Sequence, residues 1–159
     1  MRSIALAIAA LLLLASCADD PEPIEPKPSP SAKRNPTPPS MPKKAKADDP
    51  SGAATFVGYW VSTFNYAAQT GDADPMRKHA QDCEPCKEYA DEFQSLPTAR
   101  RPKSPPWKLE DVSVGPSRKP IEVETTVEVL DEKKRYPLTF VLNSGSPFEL
   151  VDIYERKAP

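Results

Sequence analysis

The stretch Ile121-Glu122-Val123-Glu124-Thr125-Thr126-Val127-Glu128-Val129-Leu130 decides the fold. Ile121, Val123, Thr125, Val127 and Val129 fall on one side of an extended chain, and Glu122, Glu124, Thr126 and Glu128 on the other. Side chains of a strand alternate between its faces, so this pattern predicts a strand with one face buried and one in water, as in an antiparallel sheet. After the charged turn Asp131-Glu132-Lys133-Lys134-Arg135, the alternation resumes at Tyr136, Leu138, Phe140 and Leu142. Asn143-Ser144-Gly145-Ser146 is the next turn, and Phe148 to Glu155 the last strand. Upstream, Trp107 to Val114 reads as the first strand. Its apolar parity shifts between Leu109 and Val112, which predicts a bulge near Glu110-Asp111 that helps the sheet to curl.

Helices precede the strands. Ala54 to Thr70 places Phe56, Tyr59/Trp60, Phe64 and Ala67/Ala68 at helical spacing, with Gly71 as the stop. Asp74-Pro75 reads as an N-cap followed by a first-turn proline, opening a short helix to Ala80. A third helix fits Glu84 to Leu96, with Tyr89 and Phe93 on one face and Pro97 ending it. Pro97 to Pro106 is a basic, proline-rich connection. The expected architecture is α+β, with N-terminal helices packed on a curved four-stranded antiparallel sheet, in one small domain spanning 53–159.

The segment before that domain has a different composition. Of 21 prolines in 159 residues, ten lie between Pro21 and Pro50, in a stretch with a single Ile and a single Met. So little apolar surface does not offset the entropy of ordering the chain, so residues 18–52 are expected to form a disordered tether. At roughly 3 Å per residue in a polyproline-like conformation, its reach is up to about 100 Å. Asp19, Asp20, Glu22 and Glu25 come first, then Lys33, Arg34, Lys43, Lys44 and Lys46. The basic half suits contact with anionic lipid or wall polymer; the plainer alternative is that the charges only keep the tether solvated.

At the N-terminus, Arg2 is followed by an apolar run from Ile4 to Ala15, too short for a bilayer span of roughly 20 residues. It reads as an export signal, residues 1–16. Its end, Leu14-Ala15-Ser16-Cys17, resembles the lipobox of bacterial lipoproteins. The resemblance implies that the Cys17 thiol receives a diacylglycerol and that Cys17 becomes the new N-terminus. The protein is then held on the extracytoplasmic face of the cell membrane, since two acyl chains anchor stably where one does not. The alternative is a plain secretory peptide cut near Cys17. The domain carries a mildly acidic balance, with 14 Lys and Arg against 17 Asp and Glu, which argues against a nucleic-acid partner.

Long helix, shorter helices, then a curled antiparallel sheet is the order found in cystatin-like, nuclear-transport-factor-two-like domains. The run Phe56-Val57-Gly58-Tyr59-Trp60-Val61, Asn65-Tyr66-Ala67, Thr70-Gly71-Asp72 and Cys83-Glu84-Pro85-Cys86 is similar to an uncharacterised family of actinobacterial lipoproteins carrying a domain of unknown function. That resemblance, over about 53–155, implies location and fold and carries no activity with it.

Three constellations bear on chemistry. Cys83 and Cys86, opening a helix in an exported protein, read first as a structural disulfide; the alternative is a thiol-disulfide oxidoreductase, since a helix N-terminus lowers a thiolate pKa. A metal site would draw on His79, Cys83 and Cys86, with Asp82 or Glu84 as a fourth ligand. Enzymes of the nuclear-transport-factor-two-like group, isomerases and cyclases, keep an acid in the cone between helix and sheet. Asp152 is the candidate for that acid, on a strand face with Phe148, Leu150 and Tyr154 unless Val151 and Ile153 form the buried face. Tyr59 and Trp60 are candidate cleft residues, with core packing as the competing reading. The expectation is a non-catalytic, lipid-anchored module with a shallow or narrow cleft and no cofactor, binding an envelope protein or a small apolar ligand; an enzyme or a structural spacer are the alternatives.

Overall fold

A computed structural model describes residues 36–116 and 119–157. Cys17, the export signal and the acidic half of the expected tether lie outside the described residues. The elements are α1 (Pro50–Thr70), α2 (Asp74–Arg77), α3 (Glu84–Ser95), β1 (Trp107–Val114), β2 (Ile121–Val129), β3 (Lys134–Asn143) and β4 (Glu149–Glu155). The strands form one antiparallel meander in the order β1-β2-β3-β4, the α+β arrangement expected from the alternation of β2.

The helix α1 begins four residues before the periodic pattern does. Asp49 is its N-cap, its carboxylate accepting from the Gly52 amide at 2.7 Å, and Pro50 occupies the first turn, where a missing N–H costs nothing. At the other end Gly71 adopts φ 76° and donates to the Ala67 carbonyl, a left-handed cap that side chains with a Cβ resist. Phe56, Val57, Trp60, Phe64 and Ala67 face inward and are buried.

The tether expectation is corrected from residue 36 onward. Met41 packs against the core, a 3-10 turn over Lys43–Lys46 lies on α1, and Ala45 is completely buried. Ser146 Oγ donates to the Lys46 carbonyl at 2.8 Å, joining this N-terminal wrap to the β3–β4 turn. A Cβ at Gly52 would stand 1.9 Å from the Ala47 carbonyl oxygen, so glycine is what lets the wrap approach the helix. Composition failed here for a physical reason: fixed proline φ angles lower the entropy lost on ordering, and one alanine of the right size anchors the segment. The domain therefore starts well before residue 53.

The helix α2 is shorter than expected and capped differently. Its N-cap is Ala73, and the Asp74 amide is met by the Asp72 carboxylate at 3.2 Å rather than Asp74 serving as the cap. It stops at Arg77 because the chain turns there, and the His79 carbonyl accepts from the Leu150 amide of β4 at 2.9 Å. Arg101 joins the ends of the two longer helices, its guanidinium donating to the Leu96 carbonyl at 3.2 Å and to the Thr70 carbonyl.

The inner face of the sheet carries Val123, Thr125, Val127, Leu138, Phe140 and Leu142 against α1. Trp60 packs edge-on to Phe140 at 5.9 Å between ring centroids, and Phe56 to Phe148 at the same distance. A fully buried side chain of this size contributes about 1.5–3 kcal/mol, so these few rings hold the layers together. Two bulges curve the sheet. One falls between Glu110 and Ser113, where the parity shift of β1 placed it, with Asp111 at φ 49°. The other lies in β4, where Val141 pairs with Asp152 but Leu142 pairs with Leu150, leaving Val151 as the extra residue.

Candidate functional site

That second bulge determines where Asp152 stands. Phe140 and Ile153 are paired and buried against the helices, so their neighbours Val141 and Asp152 point to the outer face of the sheet. The extra residue lets Leu150 and Ile153 both face inward, so neither of the two simple alternations anticipated for this strand applies. Asp152 Oδ1 accepts from the Ile153 amide at 2.8 Å. Tyr59 and Trp60 sit in the core, 8% and 1% exposed, and the three anticipated cleft residues are not brought together.

Cys83 and Cys86 are joined as a disulfide, with Cα atoms 5.2 Å apart. Both residues are buried, and Cys83 Sγ also caps α3 by accepting from the Cys86 amide at 3.3 Å. Disulfide exchange begins with a thiolate reaching one sulfur, and here the approach is blocked by packing. Bonded sulfurs are likewise not metal ligands. Among the described residues no group of three or more His, Cys, Asp or Glu side chains is placed to hold a metal.

His79 is enclosed by the Phe56 and Tyr59 rings, each 6.1 Å away between centroids, with Nδ1 3.8 Å from Glu149 Oε1. Burial lowers its pKa, the Glu149 charge raises it, and Lys78 lowers it again. It is a core histidine near the start of β4, and it does not line the opening described next.

The opening lies where α3 stands off from the inner face of the sheet, a half-open cleft of about 420 Å³. Pro85 and Tyr89 form its α3 wall, Val127 and Leu138 are among the apolar residues of its floor, and Trp107 and Tyr136 stand at its sides. Trp107 is held firmly. Its ring stacks on Phe64 with centroids 3.9 Å apart, and its backbone exchanges two hydrogen bonds with the Asn65 side chain, at 2.8 and 2.9 Å. Tyr89 meets Trp107 edge-on at 5.7 Å. A cleft walled by aromatic rings on rigid elements is preorganised for binding, because little order remains to be imposed.

Two carboxylates, Glu132 and Glu155, complete the lining, and no basic residue belongs to it. Glu132 accepts from the Tyr136 hydroxyl at 2.9 Å and pairs with Lys134 at 3.2 Å, and these contacts lower its pKa. The Tyr136 phenol is raised, first by that hydrogen bond, then by burial and the Glu132 charge, while the nearby Lys134 charge lowers it and Glu155 raises it a little further. Both carboxylates thus converge on Tyr136.

Sequence reasoning missed this site because Tyr89, Trp107 and Tyr136 read as ordinary core positions. The available signal was length: the apolar face of β2 and β3 continues to Val129 and Tyr136, at the end where the cleft opens. Among the described residues no helix is long and apolar enough to cross a membrane. A model described as a family of unknown function (DUF6318) matches residues 26–147, a span that takes in the N-terminal wrap and the first three strands. No curated protein and no solved structure matches the chain.

Proposed function

We propose, from the premise that the chain belongs to the DUF6318 family of unknown function, that it is a lipid-anchored envelope protein whose domain is a non-catalytic binding module. The observation that carries this reading is the cleft between α3 and the sheet, with Trp107 fixed by Asn65 and Phe64 and with Tyr89 and Tyr136 facing it. Aromatic side chains offer large contact areas at low entropic cost, which suits recognition. The residues with the strongest claim to chemistry stand elsewhere: the bonded, buried Cys83 and Cys86 support a structural role, and Asp152 is on the opposite face of the sheet.

The anchor rests on Leu14-Ala15-Ser16-Cys17 and the apolar run before it. Anchoring and binding act together, because a membrane-held module raises the effective concentration of the cleft for partners in the same envelope. Native mass spectrometry of the full chain extracted from its own envelope tests the binding reading. Mass beyond that of the acylated chain that Trp107→Ala removes supports it, whereas the mass of the acylated chain alone under mild extraction counts against it.

A further inference from the structure

Some acidic residues of this sheet are met by a cation, whereas others, such as Glu122 and Asp152 on the outer face and Glu155, have no ion-pair partner within 4.0 Å among the described residues. On the outer face, Glu110, Glu124 and Glu128 are each matched by a cation: Lys108 bridges Glu110 and Glu128 at 2.9 and 3.2 Å, Arg135 reaches Glu110 at 3.2 Å, and Arg156 meets Glu124 at 2.6 Å. Glu155 differs from Glu122 and Asp152 in facing inward. It pairs across the ladder with Leu138, a residue of the inner face, so its carboxylate belongs to the cleft. Its neighbour Arg156 is turned away to Glu124.

An unmatched carboxylate beside half-buried aromatic rings attracts one class of ligand. The face of an aromatic ring carries negative potential and draws organic cations, and a nearby carboxylate adds a direct counter-charge. Trp107, Tyr89 and Tyr136 supply the rings, Glu155 the free charge, and Glu132 a second charge shared with Lys134. A purely apolar ligand would leave Glu155 facing an uncharged surface and partly desolvated, which is unfavourable. The cleft is half-open rather than enclosed, so it suits a side chain presented from an extended segment better than a small molecule that must be engulfed.

We infer that the cleft receives a lysine or arginine side chain from an extended segment of a partner protein, the cation seated against Trp107 and Tyr136 with Glu155 as its counter-ion. This inference rests on the cleft being the binding site, and it narrows the ligand from apolar to cationic.

The test uses the full chain in a maltoside detergent, whose headgroup carries no cation, with amide and indole NMR signals as readout. The first probes are Nα-acetyl-lysine methylamide and its neutral counterpart acetylated at Nζ. The cationic probe is expected to shift the Trp107 indole signal and leave that of Trp60, which is 1% exposed, as an internal control. The neutral probe should bind about tenfold more weakly, and Glu155→Gln should weaken the cationic probe by about threefold to tenfold without moving the neutral one. The peptide Gly-Pro-Pro-Lys-Pro-Pro-Gly should bind more tightly than the lysine amide. Equal binding of charged and neutral probes at Trp107 would overturn the cationic ligand while leaving the cleft as a binding site. Equal affinity of peptide and lysine amide would overturn the polypeptide source. Absence of any Trp107 shift with either probe would overturn the inference itself, and the mass measurement on the extracted chain judges the cleft independently.

Discussion

Asn65 and Trp107 are joined as two strands would be: the Asn65 Nδ2 group donates to the Trp107 carbonyl at 2.8 Å, and the Trp107 amide donates to Asn65 Oδ1 at 2.9 Å. A side-chain amide on α1 thereby takes the place of a neighbouring strand at the start of β1. It fixes the ring that forms one side of the cleft and fastens the sheet to the helix.

Replacing Asn65 with Leu therefore removes both bonds and leaves a backbone N–H and C=O without partners. We expect a loss of about 1–3 kcal/mol, measured by denaturant unfolding. The Trp107 emission should also shift to the red as the ring loosens. A variant as stable as the parent would show that the pair contributes nothing net.

Cys83 and Cys86 close a short loop, and the Cys83 sulfur caps α3. Replacing both with alanine is expected to lower stability by about 2 kcal/mol from loop closure. Non-reducing peptide mapping should find the bridge in the parent. Efficient turnover of a test disulfide by the folded chain would contradict the structural assignment.

The His79 pKa is lowered by burial, so the unfolded chain takes up this proton first as the pH falls below about 6.5. The contribution of neutral His79 is fully present above that value and is lost as the pH falls through the folded pKa. Glu149 opposes the shift and Lys78 reinforces it. His79→Phe keeps the backbone carbonyl that meets Leu150 and removes the titration. Between about pH 7 and about pH 5 its stability should decline less than that of the parent, compared by urea midpoints. Parallel decline in the two proteins would assign the acid sensitivity to other groups.

Cys17 lies outside the described residues, and its role is tested in cells. Cys17→Ala should abolish incorporation of labelled fatty acid and move the protein out of the membrane fraction. Retention through detergent-free washing would mean that something other than a lipid holds it.

Much of the sheet was legible because alternation is a direct imprint of burial. Val123, Thr125 and Val127 face inward as their spacing requires, and the broken parity of β1 located its bulge. The β4 bulge was not legible, since Val151 is apolar and conceals the extra residue until the partner strand sets the register. The N-terminal wrap was missed because composition measures average hydrophobicity, whereas Ala45 is buried by fit. The cleft escaped notice for a related reason. Whether Tyr89, Trp107 and Tyr136 are core or binding surface depends on how far α3 stands from the sheet, a tertiary distance with no periodicity of its own.

Both rims of the sheet are interrupted. At β1 the left-handed Asp111 breaks the ladder, and at β4 the Leu150 amide is already committed to the His79 carbonyl. A second molecule approaching either rim meets a kinked backbone or an occupied donor rather than a long row of open pairing groups. Neither rim therefore offers an uninterrupted template for strand-by-strand polymerisation.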